Sequence, residues 1–159
     1  MTDYHIKVLD PISNDARDFI AGRLADFNEP FVGPNETIKV VLGVDTDTGE
    51  RVAGLSAEIY YNVMAIDLLW VDESVRGKGL GKRLIDQAER IARHSGCTMI
   101  HLDTFDFQAP RFYEKLGFER WGILGPFPNG HQRYYYRKMI TKKPTSSAWG
   151  IRNTSDKDR

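Results

Sequence analysis

The chain has 159 residues, 41% of them hydrophobic, which is the length of one domain with a real core. Lysine plus arginine and aspartate plus glutamate number 22 each, so the net charge is zero, which argues against a broad nucleic-acid footprint of the kind that shows as a basic excess but not against a local patch. One cysteine, Cys97, rules out an intrachain disulfide, and no apolar run approaches the ~20 residues that cross a bilayer.

Met1-Thr2-Asp3-Tyr4-His5 has neither the basic region nor the apolar core of a signal peptide, so the expected compartment is the cytoplasm. Residues 6–9 form a short strand candidate ended by Pro11, because proline cannot donate to a ladder. From Ser13 or Asn14, either a good N-cap, Ala16, Phe19, Ile20, Leu24 and Phe27 recur at helical spacing. Residues 28–36 hold two prolines and a glycine and read as a loop with a short helical turn.

Residues 37–44 and 52–61 each alternate apolar with polar, and a turn-rich segment, 45–50, joins them as a hairpin. A third strand, 63–71, follows after Asn62 to complete a meander. It is apolar on both faces, which predicts a central strand covered twice, and Asp67 is its only charge. Next comes Arg76-Gly77-Lys78-Gly79-Leu80-Gly81-Lys82, with glycine at every second position, opening an amphipathic helix over 80–93 whose stripe is Leu80, Leu84, Ala88 and Ile91. Glycines there let backbone N–H groups converge, and the helix start adds unpaired donors and the positive end of its dipole, so the natural guest is a phosphate or pyrophosphate. The spacing fits neither G-x-x-x-x-G-K-[ST] nor G-x-G-x-x-G.

A strand over 98–104 then lies parallel to 63–71, as a β-helix-β crossover requires. Residues 107–116 read as a short helix stopped by Gly117, and 118–123 with 133–140 as a last strand pair joined by a long, proline-rich connection. The tail from Thr141 has the composition of a disordered segment, with Trp149 and Ile151 its candidates for docking and a second copy of the chain (a homodimer) one surface that could take them. The domain is therefore expected over 1–140 and the polar tail over 141–159. The expected class is α/β, or α+β by some schemes.

Two segments carry a family resemblance. Arg76-x-x-Gly79-x-Gly81, after a strand and opening a helix, resembles the acyl-CoA pyrophosphate loop of the GNAT superfamily of N-acyltransferases. Ala109-Pro110-Arg111-Phe112-Tyr113-Glu114-Lys115-Leu116-Gly117-Phe118 is similar to that family's A-x-x-x-Y-x-K-x-G-F segment, and residues 102–110 resemble a bacterial subgroup often labelled streptothricin-type acetyltransferases. The resemblance implies a mixed, mainly antiparallel sheet splayed between two central parallel strands and flanked by helices. It implies acetyl-CoA as acyl donor, no metal, and a small-molecule primary amine as acceptor, with no nucleic-acid or membrane partner. An acyl-CoA sensor without catalysis and a protein-amine acetyltransferase are the alternatives.

For the cofactor the resemblance points to Leu69, Val71, Arg76, Gly77, Lys78, Gly79, Leu80, Gly81 and Lys82, with the main chain at 69 and 71 polarising the acyl carbonyl. Tyr113 becomes the proton donor to the leaving thiolate. Asp67 is the favoured base, made a better acceptor by burial, with Glu58, Asp103 and His101 next. The family's usual asparagine, seven residues before the tyrosine, is here Asp106, which stays outside the expected cofactor set.

Overall fold

The computed structural model describes residues 3–9, 14–34 and 36–140, and the chain divides into two compact units, Met1–Glu36 and Thr37–Arg159. The expectations for the tail, with Trp149 and Ile151, and for Ser13 as a cap lie outside the described residues.

The first unit contains one helix, α1 (Asn14–Val32). Residues 6–9 form no strand, and the loop expected from residue 28 is helical as far as Val32. Pro30 removes one intrahelical donor, but it sits in the last turn, where little helix remains to be disrupted. Gly33 then ends the element with φ 80°, its N–H donating to Glu29 O at 2.8 Å. Phe27 and Phe31, four residues apart, bring their rings to 5.9 Å on this helix.

The second unit is built on a six-stranded sheet. Its elements are β1 (Ile38–Asp45), β2 (Arg51–Tyr60), β3 (Val63–Val71), α2 (Leu80–His94), β4 (Met99–Phe105), α3 (Pro110–Lys115), β5 (Glu119–Leu124) and β6 (Arg133–Met139). The strand order is β1-β2-β3-β4-β6-β5, and every neighbouring pair is antiparallel except β3 with β4. The expected mixed, mainly antiparallel sheet with one central parallel pair is therefore present. Tyr61 and Asn62, both with positive φ (43° and 61°), make the two-residue turn from β2 to β3.

Helix α2 covers one face. Leu84, Ile85, Ala88 and Ala92 are buried, so the apolar stripe is wider than the expected one by Ile85 and Ala92. They pack with Met64, Ile66, Ile100, Leu102 and Tyr136 from the strands. The helix closes at Gly96 (φ 74°), with the Cys97 N–H on Ala92 O at 2.8 Å. Helix α3 starts at Pro110 rather than at residue 107, because residues 106–109 are spent on a turn in which Gln108 N donates to Phe105 O.

Strand β3 carries the irregularity that matters. Ile66 pairs with Ala57 and Leu68 with Ser56, so Asp67 is an extra residue, a β-bulge. Without it, strict alternation would continue Met64 and Ile66 into Leu68 and Trp70 on the α2 face. With it, Leu69 and Val71 take that face and pack against the core, while Leu68 and Trp70 are left 69% and 50% exposed. The expectation that β3 is covered on both faces along its length is thus corrected for its second half.

Candidate active site

The bulge coincides with the end of the parallel ladder. β3 pairs with β4 from Val63–Met99 to Ile66–Leu102 and no further, although both strands continue. The two strands separate there. Asp72 N donates to Val52 O at 2.9 Å, so the main chain of residue 72 faces β2, and alternation turns the N–H and C=O of Val71 and Leu69 toward the side vacated by β4. On that side the Val71 carbonyl accepts Arg76 Nε at 3.2 Å.

A cleft of about 840 Å³ opens in the gap. Asp67, Leu69 and Val71 line one side, Asp103, Thr104, Phe107 and Gln108 the other, Arg76, Gly77, Gly79, Leu80, Gly81 and Lys82 one end, and Phe112 and Tyr113 the part under α3. Of the expected cofactor residues only Lys78 does not line this cleft, although its neighbours on both sides do; Asp67 and Tyr113 line it, and of the alternative bases Asp103 does while Glu58 and His101 do not.

The loop from β3 to α2 is shaped by its own short-range bonds. Asp72 caps the turn Glu73–Val75, accepting from Ser74 N at 2.9 Å and Ser74 Oγ at 2.5 Å, and these bonds hold its carboxyl below the usual range. Arg76 also reaches Glu73 at 3.3 Å. Gly79 is the N-cap of α2 with φ 78° and no side-chain cap, and a Cβ at 77 or 79 would meet no atom of a described residue within 4 Å. Open space therefore faces an uncapped helix start with no acidic residue in its first turn, a donor set that suits a phosphate. Gly81 has a different reason for being glycine: a Cβ there would lie 3.3 Å from Phe112 Cζ. Lys82 is paired with Asp86 at 2.6 Å.

Tyr113 is 7% exposed, between Phe112, Phe118 and Tyr136 at 5.1, 6.0 and 6.1 Å. Its hydroxyl bonds to no described residue and is not a sealed-off polar atom, so it is left to the cleft. Burial, with the Asp103 charge nearby, pushes its pKa up to about 12. Such a phenol stays protonated throughout the neutral range.

Asp67 is exposed rather than buried, because it follows the inward-facing Ile66 and so points off the core face. Its pKa is nevertheless raised, by partial loss of water and then by the like charge of Glu58, with Asp103 adding to this and His101 opposing it. Asp103 is engaged by Arg133 Nε, and His101 Nε2 by the Tyr60 hydroxyl at 2.9 Å. Those two runners-up have partners, whereas Asp67 has no hydrogen bond to a described residue.

Asp106 points away from this chemistry. It lies 2.9 Å from His131 Nδ1 and accepts Gln132 N at 3.1 Å, fixing the β5–β6 connection. Sequence reasoning missed Phe107, Gln108 and Thr104. Gln108 Oε1 accepts both Thr104 Oγ1 (2.9 Å) and Phe105 N (2.8 Å), which ties the cleft-lining turn to the strand end. Only a three-dimensional turn brings these residues to the cleft, and no spacing rule marks them.

Residues 11–118 match the acetyltransferase (GNAT) family. The chain belongs to that family. It is 41% identical to the blasticidin-S acetyltransferase of Streptomyces morookaense over 85 residues, 53% of this chain and 62% of that protein, so the matched part spans less than two thirds of it. An acetyltransferase structure from Bacillus cereus superposes with a TM-score of 0.78 at 33% identity, covering 86% of this chain and 98% of that one. An aminoglycoside 6'-N-acetyltransferase complexed with coenzyme A shares the fold, with a TM-score of 0.58 at 22% identity over 67% of this chain and 76% of that one.

Among the described residues of this GNAT chain no cluster of histidine, cysteine and carboxylate side chains could hold a metal, and no helix is long and apolar enough to cross a membrane.

Proposed function

We propose that the chain transfers an acetyl group from acetyl-CoA to a primary amine of a small molecule. The observation that carries the reading is one cleft with a protonated phenol at one point of its wall, a carboxylate of raised pKa at another, neither of them bonded to a described residue, and an open glycine loop at its end. The coenzyme A complex of the fold relative and the antibiotic acceptor named for the Streptomyces relative support the donor and the small-molecule acceptor.

The loop and the first turn of α2 fit the pyrophosphate through Gly77, Gly79, Leu80, Gly81 and Lys82, with Arg76 stiffening the strand end and Lys78 supplying positive charge from beside the cleft. Acetyl-CoA supplies an acyl group on sulfur and a thiol leaving group of pKa near ~8.5. The N–H groups of Leu69 and Val71, facing the gap, are donors for the acyl oxygen. An alkylammonium of pKa ~10.4 has to lose a proton to attack, and Asp67, alone or through a water, takes it. As the C–N bond forms and the C–S bond breaks, Tyr113 gives its proton to the departing sulfur, and the second proton that the nitrogen sheds on becoming an amide returns to the phenolate, directly or through water. Three carboxylates at or near the gap, Glu58, Asp67 and Asp103, favour a cationic acceptor over an anionic one.

The test is thiol release from acetyl-CoA in a screen of amines, amino acids, polyamines and aminoglycoside-like, streptothricin-like and nucleoside antibiotics. The expected result is turnover with at least one small amine that Tyr113→Phe lowers by roughly 10²–10⁴-fold. Tight acetyl-CoA binding without turnover on any of them would instead identify a sensor.

A further inference from the structure

Phe107 lines the cleft yet is 61% exposed, and an exposed ring keeps a fixed place only if something supports it. Here the support is extensive. The Phe107 ring lies nearly parallel to Phe105, 5.2 Å away at 14°, and His131 meets it edge-on at 4.7 Å. Phe105 is itself braced by Phe127 at 5.1 Å and by the Arg133 guanidinium at 5.4 Å. Phe127 and His131 both come from the β5–β6 connection, and that connection is fastened by Asp106: Oδ1 lies 2.9 Å from His131 Nδ1, Oδ2 accepts Gln132 N at 3.1 Å, and the Asp106 N–H donates to Gln132 O at 2.9 Å. Phe127 N, in turn, donates to His131 O at 2.7 Å.

We propose that Phe107 is a specificity-determining residue, a platform on which a flat ring of the amine acceptor stacks, and that Asp106 and His131 are positioning residues that hold the platform in place. The inference rests on the acetyl-transfer reading above. A ring held on one side by stacking and at its edge by an imidazole offers its remaining surface to the cleft, and offset stacking rewards a planar guest beyond area alone. The Asp106 side chain is spent wholly on the loop, which accounts for an acidic residue at this position beside the cofactor cleft.

The test compares benzylamine with butylamine as acceptors for the full chain. The wild type is expected to favour benzylamine in kcat/KM. Phe107→Ala is expected to lower that preference by roughly three- to tenfold, the size of one aromatic pair, with KM for acetyl-CoA changed less than about twofold, and Phe107→Trp to restore it. Asp106→Ala is expected to lower the preference in the same direction and to add nothing when combined with Phe107→Ala, because it acts through that ring. Equal loss toward both amines, a rise confined to the acetyl-CoA KM, or full additivity of the two substitutions overturns the platform. Turnover of neither amine by a chain that binds acetyl-CoA in calorimetry overturns it as well, whereas failure to bind acetyl-CoA overturns the reading beneath it.

Discussion

Tyr113 and Asp67 are placed oppositely, and each placement has a measurable consequence. The phenol is buried, raised to about 12, and hydrogen-bonded to no described residue, so Tyr113→Phe removes the proposed proton donor and almost no packing. We expect kcat to fall roughly 10²–10⁴-fold with the acetyl-CoA KM unchanged, and an acyl donor with a more acidic thiol to recover much of the loss. Unchanged turnover with chemistry shown to be rate-limiting would make the tyrosine structural. As the proposed base Asp67 would act only when ionised, and its raised pKa is then expected to move the acid limb of kcat/KM above the ordinary carboxyl value of 3.8. Asp67→Asn should lose that limb and recover activity only as pH climbs toward the amine pKa of ~10.4; a profile parallel to the wild type would move the base to Glu58 or Asp103. The same shift has a stability sign. A carboxyl whose folded pKa is raised disfavours the fold once ionised, a penalty that sets in as pH rises through 3.8 and is complete above the folded pKa. Asp67→Asn should therefore unfold at a urea concentration no lower than the wild type near neutrality, the difference vanishing in strong acid. A lower midpoint near neutrality would mean that the carboxylate makes a stabilising contact.

At the scale of elements, α3 is the weakest and the most consequential. Six residues cannot hold a helix on their own. This one is tied to β6 by the Tyr136 hydroxyl donating to Glu114 Oε1 at 2.8 Å and by Lys138 Nζ donating to Leu116 O at 2.7 Å, with Glu89 of α2 on the same ammonium. Tyr136→Phe should cost about 1 kcal/mol in denaturant unfolding, since Glu114 is exposed and can be rehydrated, and should lower kcat more than it raises KM because Tyr113 sits on the loosened turn. Equal effects on kcat for this variant and for a distant surface control would disconnect α3 from catalysis. The loop before α2 gives a contrasting test. Gly79→Val forces a β-branched residue to φ 78°, at about 1–2 kcal/mol, and fills the space in front of the helix start. Acetyl-CoA affinity should collapse in calorimetry while the circular dichroism of the fold persists, and retained affinity would sink the pyrophosphate assignment.

For the whole molecule, the sheet unit owes its cohesion to one core in which Ile85, Ile100, Met64, Cys97 and Tyr136 are all but sealed. Ile100→Ala, in the central parallel strand, should cost roughly 2–5 kcal/mol in urea unfolding without changing the acetyl-CoA affinity of the molecules that remain folded. Ligand linkage gives the complementary measurement: acetyl-CoA at 100 times its Kd should stabilise the wild type by about 2.7 kcal/mol. The Gly79→Val chain should show no such gain; a gain equal to the wild type's would place the cofactor elsewhere.

Much of this was legible in the sequence because it is written in local periodicity and local spacing. Alternation marked β1 and β2, the 3.6-residue stripe marked α2, and the strand over 63–71 coincides with β3. The two motifs that resemble the GNAT family lie within single turns of chain, so the glycine loop and Tyr113 could be named before any fold was known. What no local rule contained were the outcomes of competition between surfaces. Strand β3 is apolar at every position but one, so its sequence is equally compatible with two faces; the bulge at Asp67 chose between them for the second half and put Leu69 and Val71 on the core, while Asp67, next to the inward-facing Ile66, lies in contact with water. The helical run through Pro30 and the late start of α3 are likewise settled by which backbone donors find acceptors in the folded chain. The aromatic platform joins residues 105 and 107 to residues 127 and 131, and Asp106 to residues 131 and 132. Contacts across such separations depend on how β4, β5 and β6 are laid side by side, and only the tertiary structure decided that.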